Sequence, residues 1–200
     1  MTKKTALILF TKNPELGKVK TRLAKTIGNS KALDIYKKLL QHTKEITLQV
    51  TADKFLFYSN AINENDQWEN NIFNKKLQIG EDLGIRMNTA FSEVFALDYT
   101  SVCIIGSDCY ELNPEIVNSA FASLENNDFV VGPTFDGGYY LLGMNQINNR
   151  IFENVAWSTE SVFETTISRI NENKSSVIIL KKLTDIDEEK DLPEIWKIKI

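Results

Sequence analysis

The stretch that decides the fold is TALILFT at residues Thr5–Thr11, followed by the loop KNPELGKVKTRL at residues 12–23. The run from Ala6 to Phe10 is apolar without interruption, which is typical of a central strand covered on both faces. Val102–Ile105 is a second run of this kind, and the loop after it begins with Gly-Ser-Asp. Ligands of such sheets bind beyond the carboxyl ends of the strands, so these two loops are the first places to expect a site.

Further strand-like runs alternate with helical patterns along the rest of the chain. The additional strands are predicted at Lys54–Tyr58, Phe129–Gly132, Tyr139–Met144 and Val177–Leu180. The helices are predicted after a cap at Ser30, around Met87–Phe95, from Asn113-Pro114-Glu115 onward, and after a cap at Ser158. This alternation predicts an α/β fold, a mostly parallel mixed sheet covered by helices on both faces, in a single domain of residues 1–200. The Asn-rich segment from Asn60 to Asn74 is predicted to be a mobile surface insertion.

Composition excludes several classes of protein. Of 200 residues, 42% are hydrophobic, 25% are charged, 9 are glycine and 4 are proline, which excludes collagen-like and low-complexity chains. No apolar run is long enough to span a bilayer, and no small-residue cleavage site follows Met1 to Lys4, so a cytoplasmic protein without a membrane span is expected. The only histidine is His42 and the two cysteines do not form a C-x-x-C pair, which argues against a zinc site and a His-dependent nucleophile.

The net charge of −4 is unevenly distributed along the chain. Residues 1–50 hold 11 Lys or Arg and 3 Asp or Glu, whereas residues 51–200 hold 12 and 24. An acidic chain is a poor general binder of nucleic acid, so no nucleic-acid partner is expected. A basic N-terminal quarter on an acidic body favours one small polyanion bound at one place, although a solvated basic helix also accounts for the lysines between residues 31 and 44.

The basic loop, defined here as residues 11–22, predicts phosphate binding. It follows the first strand directly and contains a glycine and four cations, which are Gly17, Lys12, Lys18, Lys20 and Arg22. It is not a Walker A loop, since Lys12 and Val19 stand where that motif has a glycine and a serine or threonine. No G-x-G of a dinucleotide fingerprint occurs in the chain. The loop therefore presents the unhindered backbone of Gly17 and several converging cations to a diphosphate. A solvated basic turn is the alternative.

Three acidic segments come later in the chain. Asp108 follows the second apolar strand and is expected to project its carboxylate into the ligand crevice, where a divalent cation bound with phosphates uses one or two carboxylates. A turn cap is the alternative role, but Asn113 already serves as the next helix cap. Asp136-Gly137-Gly138 alone is a hairpin signal, and the run Asp185–Glu189 alone is most typical of a solvated helix start.

Taken in order, these segments resemble the radical-SAM/selenodomain-associated transferase type 1 family. That family is glycosyltransferase-like and belongs to the GT-A, or nucleotide-diphospho-sugar transferase, superfamily. The matching motifs are Phe10–Pro14, Gly17–Leu23, Gln78, Asp82–Gly84, Arg86-Met87, Gly106–Asp108, Asp136–Gly143, Trp157–Thr159, Asp185–Asp187 and Asp191-Leu192. Two departures stand out. Tyr110 stands where the family usually has proline and where glycosyltransferases often have a second acid. Near the C-terminus the superfamily has the signature Val-Asp-Thr-Pro-Glu-Asp-Leu, and here Glu188-Glu189-Lys190 stands in place of its Thr-Pro-Glu.

The resemblance implies a single-domain GT-A fold that binds a nucleotide beside Mg²⁺ or Mn²⁺. It implies that the basic loop wraps the phosphates and that the segment from Gly80 to Met87 holds the nucleoside. The nucleotide-binding residues are then Thr11, Lys12, Gly17, Lys20, Thr21, Arg22, Gly80, Asp82, Gly84 and Arg86. Asp108 takes the metal-binding position, and Asp187 matches the second acidic position, with Asp185 as its rival. In the alternative, Asp108 is a turn cap and Asp187 lies on the surface far from it.

The function that the resemblance favours is metal-dependent transfer from a nucleotide-activated donor, most simply a nucleotide sugar, to an unknown small acceptor. The candidate catalytic residues are Lys20, Asp108 and Asp136, and the acceptor is expected beside Gly137, Gly138, Tyr139, Trp157 and Ser158. Trp157 either stacks on a sugar or anchors the core. Nucleotidyl transfer, in which a phosphorylated acceptor attacks a nucleoside triphosphate and pyrophosphate leaves, needs the same groups and stays open. A third possibility is a protein that binds a nucleotide without catalysis, since Tyr110 replaces the usual proline of the family.

Overall fold

The computed structural model describes residues 4–197, and within them seven strands form one sheet in the order β3-β2-β1-β4-β6-β5-β7. The strands are β1 Thr5–Thr11, β2 Asp53–Tyr58, β3 Phe73–Leu77, β4 Ser101–Ile105, β5 Phe129–Pro133, β6 Tyr139–Met144 and β7 Val177–Ile179. The first strand lies near the centre of the sheet, with parallel partners β2 and β4 on its two sides. Strand β6 runs antiparallel to both of its neighbours. The predicted mostly parallel mixed sheet is therefore confirmed.

Helices cover both faces of this sheet. They are α1 Thr21–Ile27, α2 Asn29–Leu48, α3 Leu83–Phe95, α4 Pro114–Ser123, α5 Val162–Glu172 and α6 Glu194–Lys197, with short 3₁₀ helices at Asn149–Phe152 and Glu189–Asp191. Alternate residues of β1 enter different cores: Leu7 and Leu9 pack in the cluster that contains α2 and α4 residues. Ile8 packs in the cluster that contains α3 and α5 residues. Because successive strand side chains point to opposite faces, covering both faces requires the uninterrupted apolar run.

Two of the predicted helix caps are wrong, and one is confirmed. Ser30 lies inside α2, which follows Gly28 (φ 84°), because that positive φ lets the chain turn from α1 directly into α2. Ser158 has φ 64° and lies in the turn before α5, whose N-cap position is Ser161. The Asn113 side chain accepts a hydrogen bond of 3.0 Å from the backbone N–H of Ile116, as a cap should.

The segment from Asn60 to Asn74, predicted to be a mobile surface insertion, lies largely at the surface but is anchored to the sheet. Trp68 and Phe73 are buried and form an edge-to-face pair with ring centroids 5.0 Å apart. Asp66 accepts a 2.6 Å hydrogen bond from the Tyr58 hydroxyl of β2. The segment ends in β3, which pairs in parallel with β2. Two aromatic side chains therefore anchor a segment whose overall composition is polar, and burial of large aromatic surface outweighs that composition.

No helix within residues 4–197 has the length and apolar character needed to cross a membrane. The expectation about a cleavage site uses Met1 to Lys4, of which residues 1–3 lie outside the described residues.

Candidate functional site

A cleft of about 720 Å³ opens at the carboxyl ends of β1 and β4, where the basic loop and the loop after β4 meet. Twelve of the eighteen candidate site residues line it: Thr11, Lys12, Lys20, Thr21, Arg22, Asp108, Asp136, Gly138, Tyr139, Trp157, Ser158 and Asp187. Neighbouring parallel strands end at one edge of a sheet, so loops distant in sequence share this crevice. Asp185 lines the cleft as well.

Lys20 lies at the centre of the charged groups in the cleft. Its Nζ is 2.7 Å from Asp108 Oδ1 and 3.8 Å from Asp187 Oδ1. The two carboxylate oxygens are therefore at most the sum of those distances, 6.5 Å, apart. Arg22 donates to the other oxygen of Asp187 at 2.8 Å. The alternative in which Asp108 and Asp187 lie far apart is wrong.

The C-terminal acidic segment is fastened to the loop after β4 by backbone contacts. Ile186 N–H donates to the carbonyl of Asp108 at 2.9 Å, and Asp185 forms an antiparallel bridge with Cys109. Ile186 is buried in a small core with residues of α1 and α2, whereas Asp185 and Asp187 on either side of it line the cleft. This alternation is the period of an extended chain, which sends next-but-one side chains to the same side. Asp185 and Asp187 are therefore part of the cleft wall, and the prediction of a solvated helix start is correct only for the exposed Glu188 and Glu189, where a 3₁₀ helix begins.

The carboxylate cluster, defined as Asp108, Asp185 and Asp187, surrounds two groups whose pKa is shifted, Asp185 and Lys20. Burial raises the pKa of Asp185 to about 7, and the charge of Asp108 adds to this effect while Lys20 opposes it. Burial alone would lower the pKa of the Lys20 ammonium, but the carboxylates, with Asp108 first, outweigh it and raise that pKa. The Lys20 side chain therefore stays protonated among these acidic groups.

The hydroxyl of Tyr36 joins the two loops that form the cleft. It accepts a hydrogen bond of 2.8 Å from the backbone N–H of Lys12 and donates to the Lys12 carbonyl at 3.1 Å. Thr11 Oγ1 and Ser107 Oγ each lie 3.3 Å from it. In the helix predicted after Ser30, the spacing of Ala32, Tyr36 and Leu39 places Tyr36 on the apolar face, and the role of its hydroxyl is not predicted. A tyrosine among aliphatic residues on a buried face is the signal that could have revealed it, since a buried hydroxyl needs a partner.

Gln78 braces the same edge of the sheet from the side of β3. Its amide nitrogen donates to the carbonyls of Thr11 at 3.1 Å and of Phe57 at 2.9 Å. Asn13 ties the basic loop to the loop after β2, donating to the carbonyl of Ala61 at 2.8 Å. These bonds fix the loop backbone even though several of its cationic side chains are exposed.

The segment expected to hold the nucleoside lies beside the cleft and has clear local roles. Asp82 caps α3 by accepting from Ile85 N–H at 2.8 Å, and Arg86 Nε donates to the Gly80 carbonyl at 2.9 Å. Gly84 lies against the indole of Trp157, where an added Cβ would come within 2.3 Å of Nε1. Gly80, Asp82, Gly84 and Arg86 are not among the lining residues, and neither are Gly17 and Gly137. Gly84 thus supports the cleft through Trp157.

The hairpin between β5 and β6 supplies the wall that carries Asp136. Its carboxylate accepts from the Thr134 hydroxyl and from Gly138 N–H at 3.1 Å, which fixes its position at the exposed rim of the cleft. Gly137 has φ 88° and approaches the Glu160 carbonyl so closely that a Cβ would lie 2.0 Å from it. Trp157 is partly buried and stacks on Phe152 with ring centroids 6.4 Å apart. Trp157 therefore both lines the cleft and packs in the core.

Asp108 and Asp187 are the residues that could hold a divalent metal. Within residues 4–197, no three His, Cys, Asp or Glu side chains are arranged to hold a metal ion as they stand. The chemistry nevertheless fits, because two carboxylates supply the hard oxygen donors that Mg²⁺ and Mn²⁺ prefer beside phosphates. The two groups already share one cation, the Lys20 ammonium. Tyr110, at the position of the second acid in many glycosyltransferases, packs instead against Trp196 and His42.

Comparison with known proteins gives a family and a fold. The model of the family described as "Uncharacterized protein conserved in bacteria (DUF2064)" matches residues 42–159. A protein from Desulfovibrio desulfuricans G20, provisionally described as a nucleotide-diphospho-sugar transferase, is 30% identical with a TM-score of 0.87, over 94% of this chain and 84% of that one. No curated protein matches the sequence with significance.

Two more distant structures share the fold alone. A CMP:2-keto-3-deoxy-manno-octonic acid synthetase complexed with CTP is 10% identical, with a TM-score of 0.62 over 98% of both chains. Rv0371c from Mycobacterium tuberculosis H37Rv, in complex with manganese, is 13% identical, with a TM-score of 0.56 over 95% of this chain and 96% of that one. The expected nucleotide-diphospho-sugar transferase fold is therefore confirmed.

Proposed function

Because the chain belongs to the DUF2064 family and collects cations and carboxylates at one sheet edge, we propose that it is a metal-dependent transferase using a nucleotide-activated donor, most simply a nucleotide sugar. The observation that carries this proposal is the contact of one buried ammonium, that of Lys20, with both Asp108 and Asp187 inside the cleft. A site with both signs of charge at close range suits a metal–diphosphate, which itself carries both signs. The 30% identical relative from D. desulfuricans supports the donor class.

The basic loop is assigned to the donor phosphates. Lys12 and Arg22 have exposed side chains in the cleft, and Arg22 would exchange its ion pair with Asp187 for phosphate oxygens. A guanidinium such as that of Arg22 can bind two phosphate oxygens at once. Lys20 adds a buried charge beside the carboxylates. These groups would stabilise the negative charge that develops on the departing nucleoside diphosphate, which is commonly the largest contribution to catalysis.

Asp108 and Asp187 are the residues that would hold Mg²⁺ or Mn²⁺. When bound there, the metal would neutralise the diphosphate and strengthen it as a leaving group. The manganese complex of Rv0371c, which has the same fold, is consistent with this choice of ion. Asp136 and the partly buried Trp157 are assigned to the acceptor, with the Asp136 carboxylate orienting or deprotonating a hydroxyl and Trp157 offering an aromatic face.

Nucleotidyl transfer is the second candidate, and one observation favours it. The loop after β4 supplies a single acid, Asp108, because Tyr110 is packed among aromatic rings at the position of the second acid in many glycosyltransferases. A structure with the same fold is a synthetase complexed with CTP. In this reaction the same cations would hold a triphosphate, and pyrophosphate would leave.

Turnover with a panel of nucleoside triphosphates and nucleotide sugars, each with Mg²⁺ and with Mn²⁺, tests both candidates. Release of a nucleoside diphosphate supports the first, and release of pyrophosphate supports the second. Asp108→Asn should abolish either reaction, whereas Asp34→Asn, an exposed aspartate on α2, should not. Binding without turnover of any donor would indicate a non-catalytic nucleotide-binding protein, and absence of nucleotide binding would overturn the proposal.

A further inference from the structure

The Lys20 ammonium occupies the position between the carboxylates where a metal ion is expected. Lys20 Nζ contacts Asp108 at 2.7 Å and lies 3.8 Å from Asp187, the two carboxylates expected to hold a metal. Only 4% of the Lys20 side chain is exposed, compared with 60% for Arg22. The Lys20 ammonium is therefore the buried cation of the site, and Arg22 is an exposed one paired with Asp187 at its rim.

The backbone conformation of Lys20 and the packing of nearby residues position this ammonium. Lys20 adopts a left-handed conformation, with φ 48° and ψ 44°, at the position that precedes α1. Non-glycine residues take this conformation uncommonly, and it persists where the surrounding structure requires it. The neighbours on both sides are anchored, since Val19 is buried in one core cluster and Leu23 in another. The Lys20 side chain is therefore directed into the carboxylate cluster by packing on both sides of it.

A divalent ion bound by Asp108 and Asp187 would have to share its ligands with the ammonium or displace it. Two cations at such short range repel each other strongly. A displaced ammonium needs a new anion, and the phosphates assigned to the adjacent loop would supply one. Phosphate bound at Lys20 would thus free the carboxylates for the metal.

We propose that Lys20 makes the binding of metal and phosphate interdependent: the ammonium blocks the metal position until a diphosphate draws it away. This inference rests on the proposed function, because it takes the metal and the diphosphate from it. The apo protein should then bind Mn²⁺ weakly and bind Mn²⁺ with pyrophosphate tightly. By linkage, Mn²⁺ must raise the affinity for pyrophosphate by the same factor.

Electron paramagnetic resonance of free Mn²⁺, measured on the full chain with and without inorganic pyrophosphate, tests the proposal. A protein-free titration of Mn²⁺ with pyrophosphate provides the reference. Wild type should gain at least tenfold in Mn²⁺ affinity when pyrophosphate is present. Lys20→Met, which removes the charge and keeps the length, should bind Mn²⁺ alone at least tenfold more tightly than wild type and should gain less from pyrophosphate.

Lys75→Met is the matched control. The Lys75 side chain is also 4% exposed and forms a 2.9 Å ion pair with Asp66, but it lies outside the cleft. Its substitution should leave both Mn²⁺ affinities unchanged. Should Lys20→Met fail to fold, Lys20→Gln takes its place with the same expectation, and equal Mn²⁺ affinity of wild type with and without pyrophosphate overturns the inference in either case.

The outcomes separate this inference from the proposed function. Tight joint binding by wild type, with no gain in Mn²⁺ affinity for Lys20→Met, overturns the role of Lys20 and leaves the proposed transferase standing. If neither protein binds Mn²⁺ under any condition, the metal-dependent part of the proposed function fails together with the inference.

Discussion

Replacement of Tyr36 by phenylalanine isolates the contribution of one hydroxyl to the candidate site. Tyr36 is 2% exposed and packs in the core, so the contacts of its ring survive the change. What is lost is the oxygen that accepts from Lys12 N–H at 2.8 Å and donates to the Lys12 carbonyl at 3.1 Å. The contact at 3.3 Å to Ser107, next to Asp108, disappears as well.

The magnitude of the effect follows from these contacts. A partly buried N–H that loses its acceptor costs about 1–3 kcal/mol, and Tyr36→Phe should lower the free energy of unfolding by this amount. The basic loop and the loop after β4 also lose their shared anchor. We expect the affinity for the nucleotide to fall by about tenfold, which corresponds to about 1.4 kcal/mol.

Chemical denaturation and isothermal titration calorimetry measure the two effects separately. The ligand is the nucleotide that supports turnover in the panel, or Mn²⁺ with pyrophosphate if none does. Tyr99→Phe is the control, because the Tyr99 hydroxyl is also hydrogen-bonded, donating to the Asp53 carboxylate at 2.6 Å, but it lies at the amino end of β2. It should lose stability and keep its affinity. If Tyr36→Phe behaves in the same way, the hydroxyl supports only the fold and the reasoning fails.

Three further predictions address the loop, the wall and the charges of the cleft. Arg22→Ala should weaken nucleotide binding by about 1.5–3 kcal/mol in calorimetry and leave the melting temperature nearly unchanged, because the side chain is 60% exposed. An unchanged affinity would remove Arg22 from the phosphate site. Gly84→Val should push Trp157 away, since a Cβ would lie 2.3 Å from the indole. It should cost about 1–3 kcal/mol of stability and shift the tryptophan fluorescence, and an unaltered spectrum would contradict the packing. Burial and Asp108 raise the pKa of Asp185 from 3.8 to about 7 in the folded protein, so its ionisation favours unfolding increasingly as the pH rises between those values. Metal-free Asp185→Asn should therefore melt at a higher temperature than wild type at pH 8 and at a similar one near pH 4, and the reverse order would refute the assignment.

Local sequence predicted those parts of the fold whose physical cause is local. Strands β1 and β4 were predictable because burial on both faces forces an uninterrupted apolar run, as in Ala6 to Phe10. The start of α4 was predictable because the Asn113 cap and the following proline act within one helical turn. Strand β3 was missed because its anchors, Trp68 and Phe73, stand in a segment rich in asparagine.

The predicted N-caps show where tertiary packing outweighs the local preference for a capping residue. Ser30 and Ser158 carry the right side chain for an N-cap, yet neither begins a helix. A cap contributes about 1 kcal/mol, which is small beside the burial of an apolar helix face. The apolar positions of α2 and α5, and the turn at Gly28, therefore determine where the helices begin.

The sequence by itself determined that a basic loop and Asp108 would stand at the edge of a parallel sheet, because each directly follows a strand that must be buried. Only the tertiary structure decided that Lys20 would hold Asp108 and Asp187 together, that Asp185 would join them, and that the Tyr36 hydroxyl would lock the two loops. These contacts join residues that lie far apart along the chain. Their geometry depends on the order of strands in the sheet and on the bridge between Cys109 and Asp185, which no local pattern of residues encodes.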